Sequence, residues 1–277
     1  MNDKIGKILK DCFLEIYGFS SFLDAGEPLN TRNRDRIPKN ASTIISLLFP
    51  YKIPYTGERN LSLYCLGRDY HDIIIKKLEL ACQKLKEEFS QNEFAAFCDN
   101  SPIREVRAAY QSGLGFLGQN GLIIHPKFGS YCFIGEIVTD LKLEQYSSPL
   151  GFCKGCGRCI KECVGGALYK NGDEVGFKKE SCLSYLTQKK GELTGEQQEA
   201  IAKGGLVWGC DGCSLVCPMN KDAKFSDIGE FYNSPLPYLT EQSVKDTADR
   251  AYGYKGEKIL LRNIGIINSK GGNNNLN

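Results

Sequence analysis

The sequence lacks any apolar run of the ~18 residues that a membrane-spanning helix needs. It also lacks a charge of one sign. Lys and Arg number 35 against 33 Asp and Glu, a formal net charge of +2 over 277 residues. That excludes a strongly basic nucleic-acid coat, although not a local basic patch. Histidine is scarce: His71 and His125 are the only two. The opening stretch MNDKIGKILKDCFLEIYGF mixes acidic with apolar residues and has no cleavage signature, which is not the pattern of a secretory signal. Cysteine, by contrast, is abundant at 13. Five are scattered (Cys12, Cys65, Cys82, Cys98 and Cys132) and eight fall between 153 and 217. An odd total and local clustering argue against a disulfide framework and for thiolate metal ligands in a reducing cytoplasm. A chain this long buries a core without disulfide staples.

Periodicity divides the chain. Ile5, Ile8, Leu9, Cys12, Phe13 and Ile16 recur at helical spacing and predict a helix over 4–17. Residues 30–40 are polar and read as a loop. Ile44–Phe49, stopped by Pro50, reads as a buried strand. Asp72–Glu88 is a helix with Ile74, Ile75, Leu78, Cys82 and Leu85 inward, Phe94–Cys98 a strand, and Arg104–Gln111 a short helix. Gly121–His125 and Tyr131–Thr139 read as strands around a turn at 126–130. Strands alternating with helices predict an α+β protein whose N-terminal α/β domain covers 1–147. From 148 to 225 the chain is rich in Cys, Gly and Lys, the texture of a metal-stapled module. Residues 226–277 form a helical extension: one helix over 241–250 capped by Thr240, another over 256–269, then a disordered tail GGNNNLN.

The clustered cysteines form two runs, Cys153-x2-Cys156-x2-Cys159-x3-Cys163 and Cys210-x2-Cys213-x3-Cys217-Pro218. Two-cluster ferredoxins use C-x2-C-x2-C-x3-C-P, with the fourth cysteine of each run crossing to the other cluster. Applied here, Cys153, Cys156, Cys159 and Cys217 hold one [4Fe–4S] cluster, while Cys163, Cys210 and Cys213 hold the second. The second run lacks its first cysteine, and Cys182 completes the set. Structural zinc is the competing reading, but zinc sites pair C-x2-C knuckles, which the first run does not. Val164 stands where the motif has proline, a backbone preference and not a ligand. Such a module moves electrons one at a time, toward another protein or toward a site on the same chain.

Ahead of the clusters lie Gly67-Arg68-Asp69-Tyr70-His71, Cys98-Asp99-Asn100-Ser101-Pro102, and Gly113-Leu114-Gly115-Phe116-Leu117-Gly118-Gln119-Asn120, then Gly135-Glu136-Ile137. Among and after the clusters come Cys182-Leu183-Ser184-Tyr185-Leu186-Thr187 and Gly209-Cys210-Asp211-Gly212-Cys213. In this order, from about 40 to 268, the chain resembles the epoxyqueuosine reductase family, cobalamin-dependent iron–sulfur enzymes of queuosine-tRNA maturation.

The resemblance implies an N-terminal cobalamin-binding domain, in a fold shared with reductive dehalogenases and similar to nitroreductases. It implies that the clusters reduce the cobalt, that reduced cobalt works on an epoxide, and that an aspartate, here Asp99, supplies a proton so that oxygen leaves as water. It places Gly118 and Asn120 at the corrin, with Tyr64 and Arg68 on the Gly67–His71 side. It implies an external low-potential electron donor of ferredoxin or flavodoxin type. From the residues alone, Asp99 ends an apolar strand, where a partly dry carboxyl suits a proton donor, or else it caps the helix near 103. The glycines of 113–118 permit close backbone approach to a flat ligand. They do not make a dinucleotide fingerprint, because they follow a helix-like segment. Imidazole also suits cobalt, but the family holds cobalamin without a histidine beneath the metal.

Three departures stand out. Gln119 replaces the family's usual lysine. Residues 256–263 match the segment that precedes the family's helical-repeat domain, and the repeats are not in this sequence. Residues 151–225 are only mildly basic, with 11 Lys/Arg against 9 Asp/Glu. Both tRNA and a smaller electrophile therefore stand as substrates. A different class of reading is a two-cluster electron-transfer protein whose N-terminal domain binds a flavin or a protein partner. A third is a paralogue that keeps its clusters for structure alone. The scattered cysteines read as core residues, with Cys98 adjoining Asp99.

Overall fold

The computed structural model describes residues 1–145 and 150–270. The expected domain boundary at 147 and the tail GGNNNLN lie outside the described residues. Contact clustering gives two units. The first comprises Met1–Pro50, His71–Lys154 and Asp222–Lys224; the second comprises Tyr51–Tyr70, Gly155–Lys221 and the chain from Phe225 on.

In the first unit, helix α1 (Asn2–Asp11) buries Ile5 and Leu9. It ends well short of residue 17, because Phe13 turns into the left-handed region at φ 59°. Strand β1 (Tyr17–Ser21) follows and pairs antiparallel with β2 (Thr43–Pro50), Phe19 opposite Ile45. The helical spacing at 13–16 is overridden by this sheet pairing. Helix α2 (Tyr70–Glu88) buries Ile74, Leu78, Ala81 and Leu85, a one-sided stripe as expected. Next come β3 (Phe94–Cys98), α3 (Glu105–Gln111), the short pair β4 (Phe116–Leu117) and β5 (Ile123–Ile124), and β6 (Cys132–Thr139). The sheet order is β1-β2-β6-β3, antiparallel throughout. Central β6 sends alternate side chains to opposite faces. A Cβ at Gly135 would meet Leu78, Ile74 and Phe49, so that face packs under α2. Val138, Ile44 and Phe97 join Ile103 and Ala108 on the α3 face.

In the second unit, α4 (Arg158–Lys161) precedes a hairpin of β7 (Leu168–Asn171) and β8 (Glu174–Phe177), turned at Gly172 with φ 62°. Helices α5 (Leu183–Gln188), α6 (Gly195–Gly204), α7 (Gly212–Leu215) and α8 (Glu257–Ser269) complete it. Thr194 and Gln197 form a capping box on α6, and Gly205 closes it at φ 64°. Leu183, Leu186, Leu193, Ile201, Ala202 and Ile266 form the core between α5, α6 and α8.

The helix expected over 241–250 is not formed; only a 3-10 turn, Ser243–Asp246, is present. Thr240 does accept the Ser243 amide at 3.2 Å. Thr247 then donates its hydroxyl to the Val244 carbonyl at 2.9 Å, a local bond that competes with helix propagation. Arg250 is buried and donates to the Gly67 carbonyl at 3.1 Å. Among the described residues, no helix is long and apolar enough to cross a membrane.

Candidate functional site

Strand β3 ends at Cys98, and the next two residues, Asp99 and Asn100, both lie in the left-handed region at φ 52° and 42°. Non-glycine residues there are strained and persist where surrounding contacts hold them. The Asp99 carboxylate meets His71 Nε2, at the start of α2, at 3.0 Å. Asp99 does not cap α3: the residue before the helix is Arg104, and no side chain caps it. The Asp99 side chain is 55% exposed.

The dry carboxyls lie behind it, and the sequence reading passed over both. Glu136 sits in the middle of β6, opposite Ser46 on β2 and Phe97 on β3, and is fully buried. The Ser101 hydroxyl donates to it at 2.6 Å. Glu105 opens α3, and its carboxylate accepts the Asp99 backbone N–H. Burial first, and the Asp99 charge second, push the Glu105 carboxyl up to about 7. Burial, then Glu105, push Glu136 well above the usual carboxylate range. One signal for Glu136 was available: a lone acid in the otherwise uncharged strand CFIGEIVT.

The glycine loop is tight. Gly121 N–H donates to the Gly118 carbonyl, and Gly118 N–H to the Leu122 carbonyl, each at 2.9 Å. A Cβ at Gly118 would collide with the Asn120 side chain and with Ile124. Gln119 Oε1 and Asn120 Nδ2 are buried and have no hydrogen-bond partner. An acceptor and a donor left open side by side fit a polar ligand such as the amide-fringed corrin ring. Tyr64 and Arg68 belong to the second unit. Tyr64 is half-buried and hydrogen-bonded to Trp208, with burial raising its hydroxyl pKa, and Arg68 is exposed. His125 accepts the Lys127 amide at 3.1 Å and packs on Phe128, and burial lowers its pKa. Of the scattered cysteines, Cys12 and Cys65 are buried; Cys82, Cys98 and Cys132 are partly so.

None of the eight clustered cysteines is in a disulfide. Short helices α4 and α7 pack together and carry Cys159 and Cys213, with Cys163 and Cys217 just beyond their C-terminal ends. This equivalence of the two runs suits exchange of fourth ligands. Gly155 and Gly157, at φ 63° and 69°, bend the first run between its cysteines.

Cys182, expected from the sequence to complete the second set, is the residue before α5. The Thr187 hydroxyl at the far end of α5 accepts the Gly209 amide at 3.0 Å, next to Cys210. Buried Asn263 on α8 donates to the carbonyls of Thr187 and Val207, both at 2.8 Å. Cys210 feels the charges of both Cys213 and Cys182, and burial leads in pushing its thiol up to about 12. The sulfurs of Cys163 and Cys210 accept amides from Leu168 and Gly212 at 3.5 Å, the kind of bond that tunes a cluster potential.

Asp211, inside the second run, is buried. It pairs with Arg59 at 2.8 Å, accepts the Ser62 hydroxyl at 2.7 Å and accepts the Leu63 amide at 2.9 Å. Among the described residues, no three His, Cys, Asp or Glu converge on one metal ion. Thiolates on one tetrahedral zinc stand about 3.8 Å apart, from the ~2.3 Å bond length. Those on a cubane each take a different iron and stand farther apart.

Two family models match. Residues 33–100 match the family described as epoxyqueuosine reductase QueG, DUF1730, and residues 152–220 match the 4Fe-4S double cluster binding domain. The chain is similar to the epoxyqueuosine reductase of Pseudomonas aeruginosa, 36% identical over 218 residues, covering 74% of this chain and 59% of the relative. It is similar to the Staphylococcus aureus protein of that name, 30% identical over 288 residues. It spans 55% of the Aliivibrio fischeri relative. Among solved structures it resembles epoxyqueuosine reductase from Streptococcus thermophilus, with TM-score 0.81 and 26% identity over 98% of this chain and 81% of that one. An epoxyqueuosine reductase solved with an epoxyqueuosine-modified tRNA-Tyr stem loop shares the fold at TM-score 0.78 and 22% identity, over 97% of this chain and 81% of that one. A catabolic reductive dehalogenase shares it more distantly, at TM-score 0.53 and 13% identity over 96% of this chain and 35% of that one. With both family models matched in order, and with the Staphylococcus aureus alignment covering 94% of this chain and 74% of the relative, the chain belongs to the epoxyqueuosine reductase family.

Proposed function

We propose that this chain is a cobalamin-dependent iron–sulfur oxidoreductase that removes the oxygen of an epoxide. Its substrate on this reading is epoxyqueuosine in tRNA or a smaller related electrophile. The observation that carries the reading is the strained Asp99 turn. In a chain of this family, an aspartate at a strand end is held by His71 and backed by two dry carboxyls.

Replacing an epoxide by a carbon–carbon double bond, with oxygen leaving as water, consumes two electrons and two protons. Bound cobalamin would supply the strongly reducing cobalt that this chemistry needs. Gly118, Asn120 and the open amide of Gln119 would hold it. Asp99 provides a proton to the leaving oxygen, and His71 aims its carboxyl. Electrons come from an external donor of ferredoxin or flavodoxin type. Cys153, Cys156, Cys159 and Cys217 hold one [4Fe–4S] cluster on this reading, and Cys163, Cys182, Cys210 and Cys213 the other.

The test is an anaerobic cobalamin titration of cluster-loaded protein, read by absorption and paramagnetic resonance, followed by turnover of an epoxyqueuosine-bearing stem loop. A base-off Co(II) signal beside two clusters is expected. Asp99→Asn should lower kcat by about 10²–10⁴-fold, the usual contribution of a general acid. Clusters without cobalamin affinity would overturn the reading and leave an electron-transfer protein.

A further inference from the structure

Within the second unit, residues 59–63 run along the stretch that leads into Cys210. The Val207 amide donates to the Asn60 carbonyl at 2.6 Å, and the Ser62 amide donates to the Trp208 carbonyl at 3.0 Å. A Cβ at Gly209 would collide with the side chains of Ser62 and Tyr64, so glycine permits this close approach. Asn60 fixes the stretch further. Its side chain donates to the Leu239 carbonyl at 2.8 Å and accepts the Leu239 amide at 2.7 Å.

This fastening brings a cation to the second cysteine run. Asp211 lies between Cys210 and Cys213 and is the residue before α7. One of its carboxylate oxygens accepts the Ser62 hydroxyl. The other accepts the Leu63 amide and meets the Arg59 guanidinium at 2.8 Å. Both side chains of the ion pair are buried. Such a pair is weak evidence of stabilisation, because desolvation offsets the attraction. Its charges still act on any other charge in the same dry surroundings. Reducing a [4Fe–4S] cluster adds one negative charge, and net charge is one of the levers on cluster potential.

We propose that the Arg59–Asp211 pair sets the redox potential of the cluster on the second run. The Asp211 carboxylate, between two of its ligands, opposes the incoming electron, and the Arg59 guanidinium offsets that opposition. The proposal rests on the reading of Cys210 and Cys213 as cluster ligands and is independent of cobalamin and substrate. The expected signs follow from charge alone. Asp211→Asn leaves Arg59 uncompensated, favours the added electron and raises the potential. Arg59→Gln leaves Asp211 uncompensated and lowers it. The double variant falls between the two single ones. Arg59→Lys keeps the charge and stays near the parent. Damage to packing gives no reason for opposite signs.

The test is an anaerobic redox titration of cluster-loaded protein without cobalamin, read by paramagnetic resonance of the reduced clusters. Iron content and circular dichroism check that each variant is loaded and folded. At an effective dielectric of about 20, one unit charge about 10 Å away shifts the reduced-to-oxidised ratio about tenfold. For a one-electron couple that is about 59 mV. One of the two midpoints should rise by about this much in Asp211→Asn and fall by about this much in Arg59→Gln, with the other midpoint moving less. Shifts of the same sign in the two variants, or ratios changed by less than about twofold in both, overturn the proposal. Should Asp211→Asn lose a cluster, Arg59→Gln against Arg59→Lys decides. A midpoint that does not fall in Arg59→Gln, or that falls equally in Arg59→Lys, overturns it. A parent that holds fewer than two clusters defeats the ligand assignment instead, and this inference with it.

Discussion

Asp211 stands between two cluster cysteines, and its replacement by leucine gives a stability change that the geometry bounds. The Arg59 and Asp211 side chains are 9% and 3% exposed, so the pair is a buried ion pair rather than a surface one. Removing the carboxylate strands three donors at once: the Arg59 guanidinium, the Ser62 hydroxyl and the Leu63 amide. Arg59 keeps its bond to the Leu61 carbonyl. Breaking one side of such a pair costs about 3–5 kcal/mol, most of it from the charge left behind. Replacing both partners, Arg59→Met with Asp211→Leu, removes that charge. Only the unmet Ser62 and Leu63 donors then remain, about 1–3 kcal/mol each, and the single variant carries the same loss besides its stranded charge. The double variant should therefore be more stable than Asp211→Leu alone, although it carries one more substitution. The assay is anaerobic denaturant unfolding of cluster-loaded protein followed by circular dichroism, with the parent, both single variants and the double. A loss below about 1 kcal/mol for Asp211→Leu, or a double variant no more stable than that single one, would refute the reasoning.

Other outcomes follow from the same structure. Cys182→Ser should remove one of the two clusters, while Cys65→Ser, at a buried thiol outside the runs, should keep both; iron content and paramagnetic resonance decide between them. Asn263→Ala should weaken the link between α5 and the stretch before Cys210, lowering stability by about 1–3 kcal/mol through its two lost buried bonds. Stability should fall as pH rises. The folded Glu105 carboxyl titrates near 7 against 4.5 for an unperturbed one, so the native state holds the extra proton between those values. The favourable contribution is complete below about pH 4.5 and lost above about 7, an effect on the order of 3 kcal/mol. Denaturant midpoints at several pH values measure it, and Glu105→Gln should flatten the slope.

The cluster chemistry was written in the sequence because a cubane needs thiolates at short, regular gaps, and spacing along a chain is a one-dimensional property. Strand β3 fell at 94–98 as expected, and the inward stripe of α2 was legible for the same reason: local periodicity mirrors one-sided burial. The family was legible because its strings occur in order along one chain.

Other features depended on partners far away in the sequence. The helix expected over 4–17 ended early, at Asp11, because the chain turns at Phe13 and residues 17–21 pair with β2. The stretch after Thr240 had its cap but no continuing helix, since the Thr247 hydroxyl takes the nearby Val244 carbonyl and Arg250 reaches the Gly67 carbonyl, 183 residues away. The link of α5, which follows Cys182, to the stretch before Cys210 runs through Thr187 and Asn263, whose bonds span 22 to 76 residues. Glu105 and Glu136 are ordinary letters until α3 folds over β6. Sequence by itself determined which atoms are available for the chemistry. Only the tertiary structure decided which carboxyls are dry, because desolvation is a property of the surroundings and not of the residue.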